Sequence, residues 1–181
     1  PEPRMGTSKQ VKTWIEQAEA DLGAAQVEDD RLAECHRRYW IQQSYEKAIK
    51  AYALMRWTGA TGDEPQFVRL FLLQHSPLKT VIEANTPLSK PLHLLAREVE
   101  TFVRGLDNRD MLLKIDATTP RNDPAEVSYR YPFLVDDEYK APASYREWDA
   151  YQGNSAGAQA AVGRLLGAVK DELKIFARTP K

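Results

Sequence analysis

The residue run 41–51, IQQSYEKAIKA, places the strongest constraint on how this chain can fold. Its apolar side chains recur three and four residues apart, as they do along one face of a helix. Ser44, Ala48 and Ala51 keep a side of that helix thin, so a neighbouring helix can approach closely. The run therefore predicts a central helix in a helical bundle.

The same spacing recurs along most of the chain and predicts helices at about 9–27, 31–57, 77–84, 91–105 and 154–177, after a flexible lead-in at 1–8. The apolar run at 67–73 fits either a helix or a short strand, and we favour a helix because no other strand pattern exists to pair with it. The fold predicted is all-α: an up-and-down bundle of about five helices in one domain, residues 9–178. The positions expected to face the core are Val11, Trp14, Ile15, Ala18, Leu22, Ala25, Ile41, Tyr45, Ala48, Tyr52, Met55, Leu92, Leu95, Val99, Phe102, Val103, Leu106, Ala161, Leu165, Val169, Leu173 and Phe176.

Composition limits the classes of function. The formal net charge of −1 provides no overall field to attract nucleic acid or an acidic membrane. The single cysteine, Cys35, excludes an internal disulfide and a thiolate zinc cluster, and it fits a reducing compartment. No apolar run approaches the roughly 20 residues of a membrane-spanning helix. We expect a cytoplasmic protein without a metal site or a cofactor, and we place His36 on a solvated face and His93 at a partly buried position.

Residues 116–150 hold four of the eleven prolines and little periodicity, which predicts a long loop. Within it, Arg130 and Tyr131 are followed by Pro132. A guanidinium and an aromatic ring together suit the phosphate and base of a nucleotide. Arg130 could instead anchor the loop on helix carbonyl groups, and both interpretations stay open.

Five features occur in a fixed order: WIEQAEADL at 14–22, QQSYEKAIKA at 42–51, His75 three residues before a leucine, Arg-Tyr-Pro at 130–132, and an alanine-rich last helix. In this order and spacing the chain resembles the HEPN domain family over roughly residues 10–178. That resemblance implies a helical bundle that often dimerises. Members of the family occur beside separate nucleotidyltransferases and in toxin–antitoxin or defence systems. Many of them are metal-independent ribonucleases with an Arg-x(4–6)-His motif.

The chain matches that nuclease motif at Arg69 and His75, which lie before the position the family uses. Histidine can act as an acid or base near neutral pH, and arginine can stabilise a charged phosphorane. However, a six-residue offset places the two side chains on opposite sides of a helix. They would meet only through a bend at 75–77 or across a dimer, so we favour a structural role for them.

Lys47 offers a further phosphate contact if it lines a recess together with Gln43. Glu46 and Lys50 are spaced for an ion pair on one helix, and we expect this pair to lie on the surface. The ligand-binding candidates are thus Arg130, Tyr131, Lys47, Gln43 and His75.

Together these observations favour a non-catalytic module, expected as a homodimer, that binds a nucleotide, a nucleic acid or a partner protein, with a separate nucleotidyltransferase as one possible partner. Two alternatives stay open. One is a metal-independent endoribonuclease that uses Arg69 and His75, and the other is a purely structural dimerisation domain.

Overall fold

The computed structural model describes residues 5–28, 32–56, 90–106, 133–135, 138–141, 143 and 152–178, and most of these residues lie in four helices. They are α1 (Met5–Ala25), α2 (Glu34–Arg56), α3 (Lys90–Gly105) and α4 (Gln152–Arg178). The predicted helical class is therefore confirmed for most of the described residues.

The helix ends differ from the predicted ends by a few residues. Helix α1 begins at Met5, so the expected lead-in is wrong for residues 5–8. Helix α2 begins at Glu34, three residues later than predicted, and ends at Arg56. Apolar periodicity marks the interior of a helix well but its ends poorly, because terminal turns depend on capping groups and contacts outside the periodic stripe.

One core joins the apolar faces of all four helices. Most of the predicted core positions are buried, and Ala18, Ile41, Ala48, Tyr52, Val99, Leu106, Ala161, Leu165 and Val169 are fully enclosed. Phe102 is an exception, because it is 42% exposed. Its ring lies over Gly157 of α4, where a Cβ atom would be only 3.7 Å away. That distance is an ordinary van der Waals contact, so the ring packs on α4 at the edge of the core. The side chains of Met55 and Phe176 lie outside the described set.

Helices α1 and α2 make the closest helix pair. The hydroxyl of Ser44 donates a hydrogen bond to the carbonyl of Ala18, 2.8 Å away, and both residues are fully buried. A side-chain bond to a neighbouring helix backbone requires a short distance between the two axes, which small residues permit. The thin face predicted from Ser44 and Ala48 is confirmed on this side.

From Ser44 to Leu54, helix α2 is buried around its whole circumference, with Lys47 as the partly exposed position. Helix α4 runs antiparallel to α3, since Glu98 meets Arg164 whereas Phe102 meets Gly157. Because α2 is enclosed from Ser44 to Leu54, it lies at the centre of the packed helices. The polar residues of this stretch therefore need partners inside the protein.

The expected loop at 116–150 contains a hairpin. Strands β1 (Phe133–Val135) and β2 (Glu138–Lys140) pair antiparallel, with Leu134 opposite Tyr139. The strictly all-α description is therefore incomplete. Aromatic and β-branched residues favour strands, but three residues are too few to display a period of two.

Several other predictions fall outside the described residues. These are the apolar run at 67–73 and the helix at 77–84. The division into a single domain and the homodimer stay predictions.

Candidate functional site

Lys47 and Gln43, two of the predicted ligand-binding residues, lie together at the partly buried α1–α2 interface. The ammonium group of Lys47 donates to the carboxylate of Asp21 and, at 3.2 Å, to the amide oxygen of Gln43. Gln17 donates to the other Asp21 oxygen at 2.9 Å. The side chain of Asp21 is only 2% exposed and that of Lys47 is 18% exposed. Lys47 can thus be reached from solvent, but a phosphate would have to compete with Asp21 for it.

Asp21 is a residue that sequence reasoning missed. It lies three residues after Ala18 and four before Ala25, on the face of α1 that enters the core. A carboxylate at a core position needs a buried donor or cation, since an unpaired buried charge is very unfavourable. That spacing was the available signal that Asp21 has a cationic partner on another helix.

The Glu46–Lys50 pair is buried rather than on the surface, so the expectation of a surface ion pair is wrong. Their side chains are 7% and 5% exposed, and Lys50 donates to the Oε1 atom of Glu46. The Lys50 ammonium also lies 5.6 Å from the ring centroid of Trp14, within the range of a cation–π interaction. The pair is inside because α2 is enclosed on all sides at this level, which the sequence of α2 alone does not reveal.

A second buried pair lies in the first turns of α2. Arg38 is fully buried, and its Nε atom donates to Glu34 Oε1 at 3.1 Å. Its Nη1 atom donates to the Leu106 carbonyl at 2.6 Å. Ser155 in the first turn of α4 donates its hydroxyl to the same Glu34 oxygen. We call these four residues the buried junction, because they join α2 to the end of α3 and the start of α4.

Tyr45 brings a phenol hydroxyl into the buried interior. Its side chain is buried, and its hydroxyl makes no hydrogen bond within the described part of the chain. Burial raises the pKa of Tyr45 well above its ordinary value, and the carboxylate of Glu100 adds to this rise, whereas Arg104 opposes it. The phenol therefore stays protonated at neutral pH and cannot serve as a base there.

Cys35 does not have the surroundings of a catalytic nucleophile. It is 1% exposed, and burial is the main cause that raises the pKa of its thiol. A reactive cysteine needs a lowered pKa and access to solvent. His36 is exposed and His93 is half-buried, as predicted.

The remaining site predictions lie outside the described residues. These are the nuclease candidates Arg69 and His75 and the nucleotide candidates Arg130 and Tyr131. Strand β1 begins at Phe133, directly after Pro132, so Arg130 and Tyr131 immediately precede the hairpin in the chain.

Within the described ranges, no group of three histidine, cysteine or acidic side chains is arranged to hold a metal ion. Likewise, none of the helices described here is both long enough and apolar enough to cross a membrane.

The described part of the site is thus a set of buried or partly buried ion pairs formed by residues of α2. Lys47 is the most accessible cation among them. Comparison with family models, curated proteins and solved structures gives no match for this chain.

Proposed function

We propose that this chain is a non-catalytic, HEPN-like module that binds a nucleotide, either free or within an RNA chain, through Arg130 and Tyr131. The observation that carries the non-catalytic part is the mutual pairing of the buried charges: Asp21 with Lys47, Glu46 with Lys50, and Glu34 with Arg38. Each charge has a partner on the same or a neighbouring helix. The Asp21–Lys47 pair joins α1 to α2, the other two pairs lie within α2, and we infer that recognition belongs to other segments.

The same pairing ranks the ligand-binding candidates. If a phosphate took Lys47 away from Asp21, a carboxylate that is 2% exposed would lose its cation. Removing one partner of a buried pair costs about 3–5 kcal/mol, which is comparable to the whole binding energy of a weak ligand. Lys47 and Gln43 are therefore the less favoured contacts, and Arg130 and Tyr131 are the main ones.

The position of Arg130 and Tyr131 in the chain also supports this choice. They directly precede Pro132 and the hairpin, whose strands pair from Phe133 with Lys140 to Val135 with Glu138. A hairpin fixes the direction of the chain that enters it. Guanidinium and phenol groups next to such an element suit a phosphate and a stacked base.

Titration calorimetry on the full chain tests the proposal, with ATP in one experiment and single-stranded RNA in the other. We expect binding in at least one of them, and we expect Arg130→Ala to weaken it about tenfold or more, as loss of a charged phosphate contact does. The control is Arg164→Ala, because Arg164 is an exposed arginine paired with Glu98 on the surface. Binding of ATP alone, RNA alone or both identifies the source of the nucleotide.

Two results would contradict the proposal. The absence of heat with either ligand, together with an effect of Arg130→Ala on stability alone, would favour the purely structural domain. Cleavage of RNA in the presence of EDTA, abolished by His75→Ala in a folded protein, would instead favour the endoribonuclease.

A further inference from the structure

The buried junction holds two points of the chain that are far apart in sequence. One is Leu106, which directly follows α3, and the other is Ser155, in the first turn of α4. They are 49 positions apart in the chain. The Leu106 carbonyl accepts a hydrogen bond from Arg38, and the Ser155 hydroxyl donates one to Glu34. One pair of side chains on α2 therefore contacts both the end of α3 and the start of α4.

The charges of the pair match the helix ends that they touch. The C-terminal carbonyls of a helix carry partial negative charge, and its N-terminal amides carry partial positive charge. Arg38 places a cation at the end of α3, and Glu34 places a carboxylate at the start of α4. Glu34 also lies in the first turn of α2 itself. Exchanging the positions of the two charges would put both at unfavourable helix ends.

Because the junction is buried, loss of any one of its polar side chains would affect the others. Arg38 and Ser155 are 0% and 1% exposed, and Glu34 is 5% exposed. Glu34 Oε1 accepts hydrogen bonds from both Arg38 and Ser155. When the bond at one end is lost, the shared carboxylate can shift, and the bond geometry at the other end changes with it. Interacting residues in such a network typically show coupling energies of about 0.5–3 kcal/mol.

We propose that Glu34 and Arg38 form a two-ended clamp, which couples opening of the chain at Leu106 to opening at Ser155. The end of α3 and the start of α4 are then both held or both released. This inference concerns the described junction alone, so it does not depend on nucleotide binding.

Native-state hydrogen exchange followed by NMR tests the clamp. The substitution is made at the α4 end, and exchange is measured at the α3 end. In Ser155→Ala, we expect the Leu106 amide, which bonds to the Val103 carbonyl, to exchange about fivefold faster or more. Amides near Gly157 in the first turns of α4 should also exchange faster. Glu34→Gln removes the charge but keeps an oxygen that can accept a bond, so it should produce a change of the same direction.

Ser44→Ala is the matched control. Ser44 is also a buried serine whose hydroxyl bonds to another helix, but its partner is Ala18. We expect this substitution to speed exchange in α1 and α2 and to leave the Leu106 amide unchanged. Faster exchange only in α4 of Ser155→Ala would show that the two ends are independent and would overturn the proposal. An equal effect of Ser44→Ala at Leu106 would overturn it as well, since the change would then be global.

Discussion

The hydroxyl of Ser44 in α2 donates a 2.8 Å hydrogen bond to the backbone carbonyl of Ala18 in α1. Both residues are fully buried, so this bond joins the two helices inside the core. Ser44 contributes two properties to this contact: a small side chain and a hydrogen-bond donor. Substitutions at Ser44 can change the two properties separately.

Ser44→Val should destabilise the protein by about 1–3 kcal/mol, because two methyl groups must enter a contact with no spare space. Ser44→Ala should cost about 1 kcal/mol, since it removes one hydrogen bond and leaves the spacing intact. Urea denaturation followed by circular dichroism measures both values. Ala20→Val is the control, as Ala20 is exposed on the opposite side of α1. An equal cost for all three substitutions would contradict the close approach.

Breaking the buried Glu46–Lys50 pair should be far more harmful than replacing it. Either Glu46→Leu or Lys50→Met removes one charge of the pair and leaves the opposite charge buried, and we expect a loss of about 3 kcal/mol or more. The double variant Glu46→Leu with Lys50→Met should recover most of this loss, because two apolar residues can fill the same space. A double-mutant cycle of unfolding free energies measures the recovery.

The control for that cycle is the Glu98–Arg164 pair, whose side chains are 56% and 53% exposed. Solvent screens such pairs, so Arg164→Met should change the free energy of unfolding by no more than about 1 kcal/mol. A similar cost for Arg164→Met and Lys50→Met would be inconsistent with a buried position for Lys50.

Tyr45→Phe should be neutral or slightly stabilising at pH 7. The hydroxyl that it removes is buried and makes no hydrogen bond among the described residues, so its removal relieves a desolvation cost. Thermal melts of the two proteins at equal concentration measure the difference. A loss of more than about 1 kcal/mol would indicate that the hydroxyl has a stabilising partner.

The raised pKa of Tyr45 also predicts a pH dependence. Below about pH 10 the phenol is protonated in both the folded and the unfolded states, so it contributes no pH dependence. Above that pH the unfolded state loses the proton while the folded state keeps it, and the free energy of unfolding falls as pH rises. The alkaline loss of stability should therefore be shallower in Tyr45→Phe than in the wild type. Parallel curves for the two proteins would count against a raised pKa.

Cys35 should react slowly with a thiol reagent such as DTNB in the native protein. Its thiol is buried, and its raised pKa reduces the thiolate fraction further. Since the chain has one cysteine, the absorbance change reports on this thiol alone. Addition of urea should accelerate the reaction to the rate of a free thiol. A fast reaction without urea would show that the first turns of α2 open easily.

Periodicity predicted the helices well because burial of an apolar face is what stabilises most of them. Val11, Ile15, Ala18 and Leu22 of α1 follow the three-and-four spacing and are buried. The hairpin β1–β2 was not predicted, because its strands have three residues each. So short a segment carries no period that a sequence pattern can reveal.

The polar interior was harder to predict. Arg38 lies three residues before Ile41 and seven before Tyr45, on the core stripe of α2, but the predicted core positions of that helix begin only at Ile41. Its partner Leu106, and Ser155, which donates to the Glu34 carboxylate that Arg38 also contacts, come from distant parts of the chain, so no local pattern links them. The proximity of Lys47 to Gln43 follows from their i,i+4 spacing and could be predicted, whereas the contact with Asp21 needed the position of α1.

The enclosure of α2 between Ser44 and Leu54 has a practical consequence for dissecting this chain into fragments. A piece that contains α2 without its neighbours would expose apolar and ionic surfaces together, and neither water nor a membrane satisfies both. Recombinant truncations that remove α1 or α4 should therefore accumulate as inclusion bodies, and studies of separate halves will require co-expression of the missing piece.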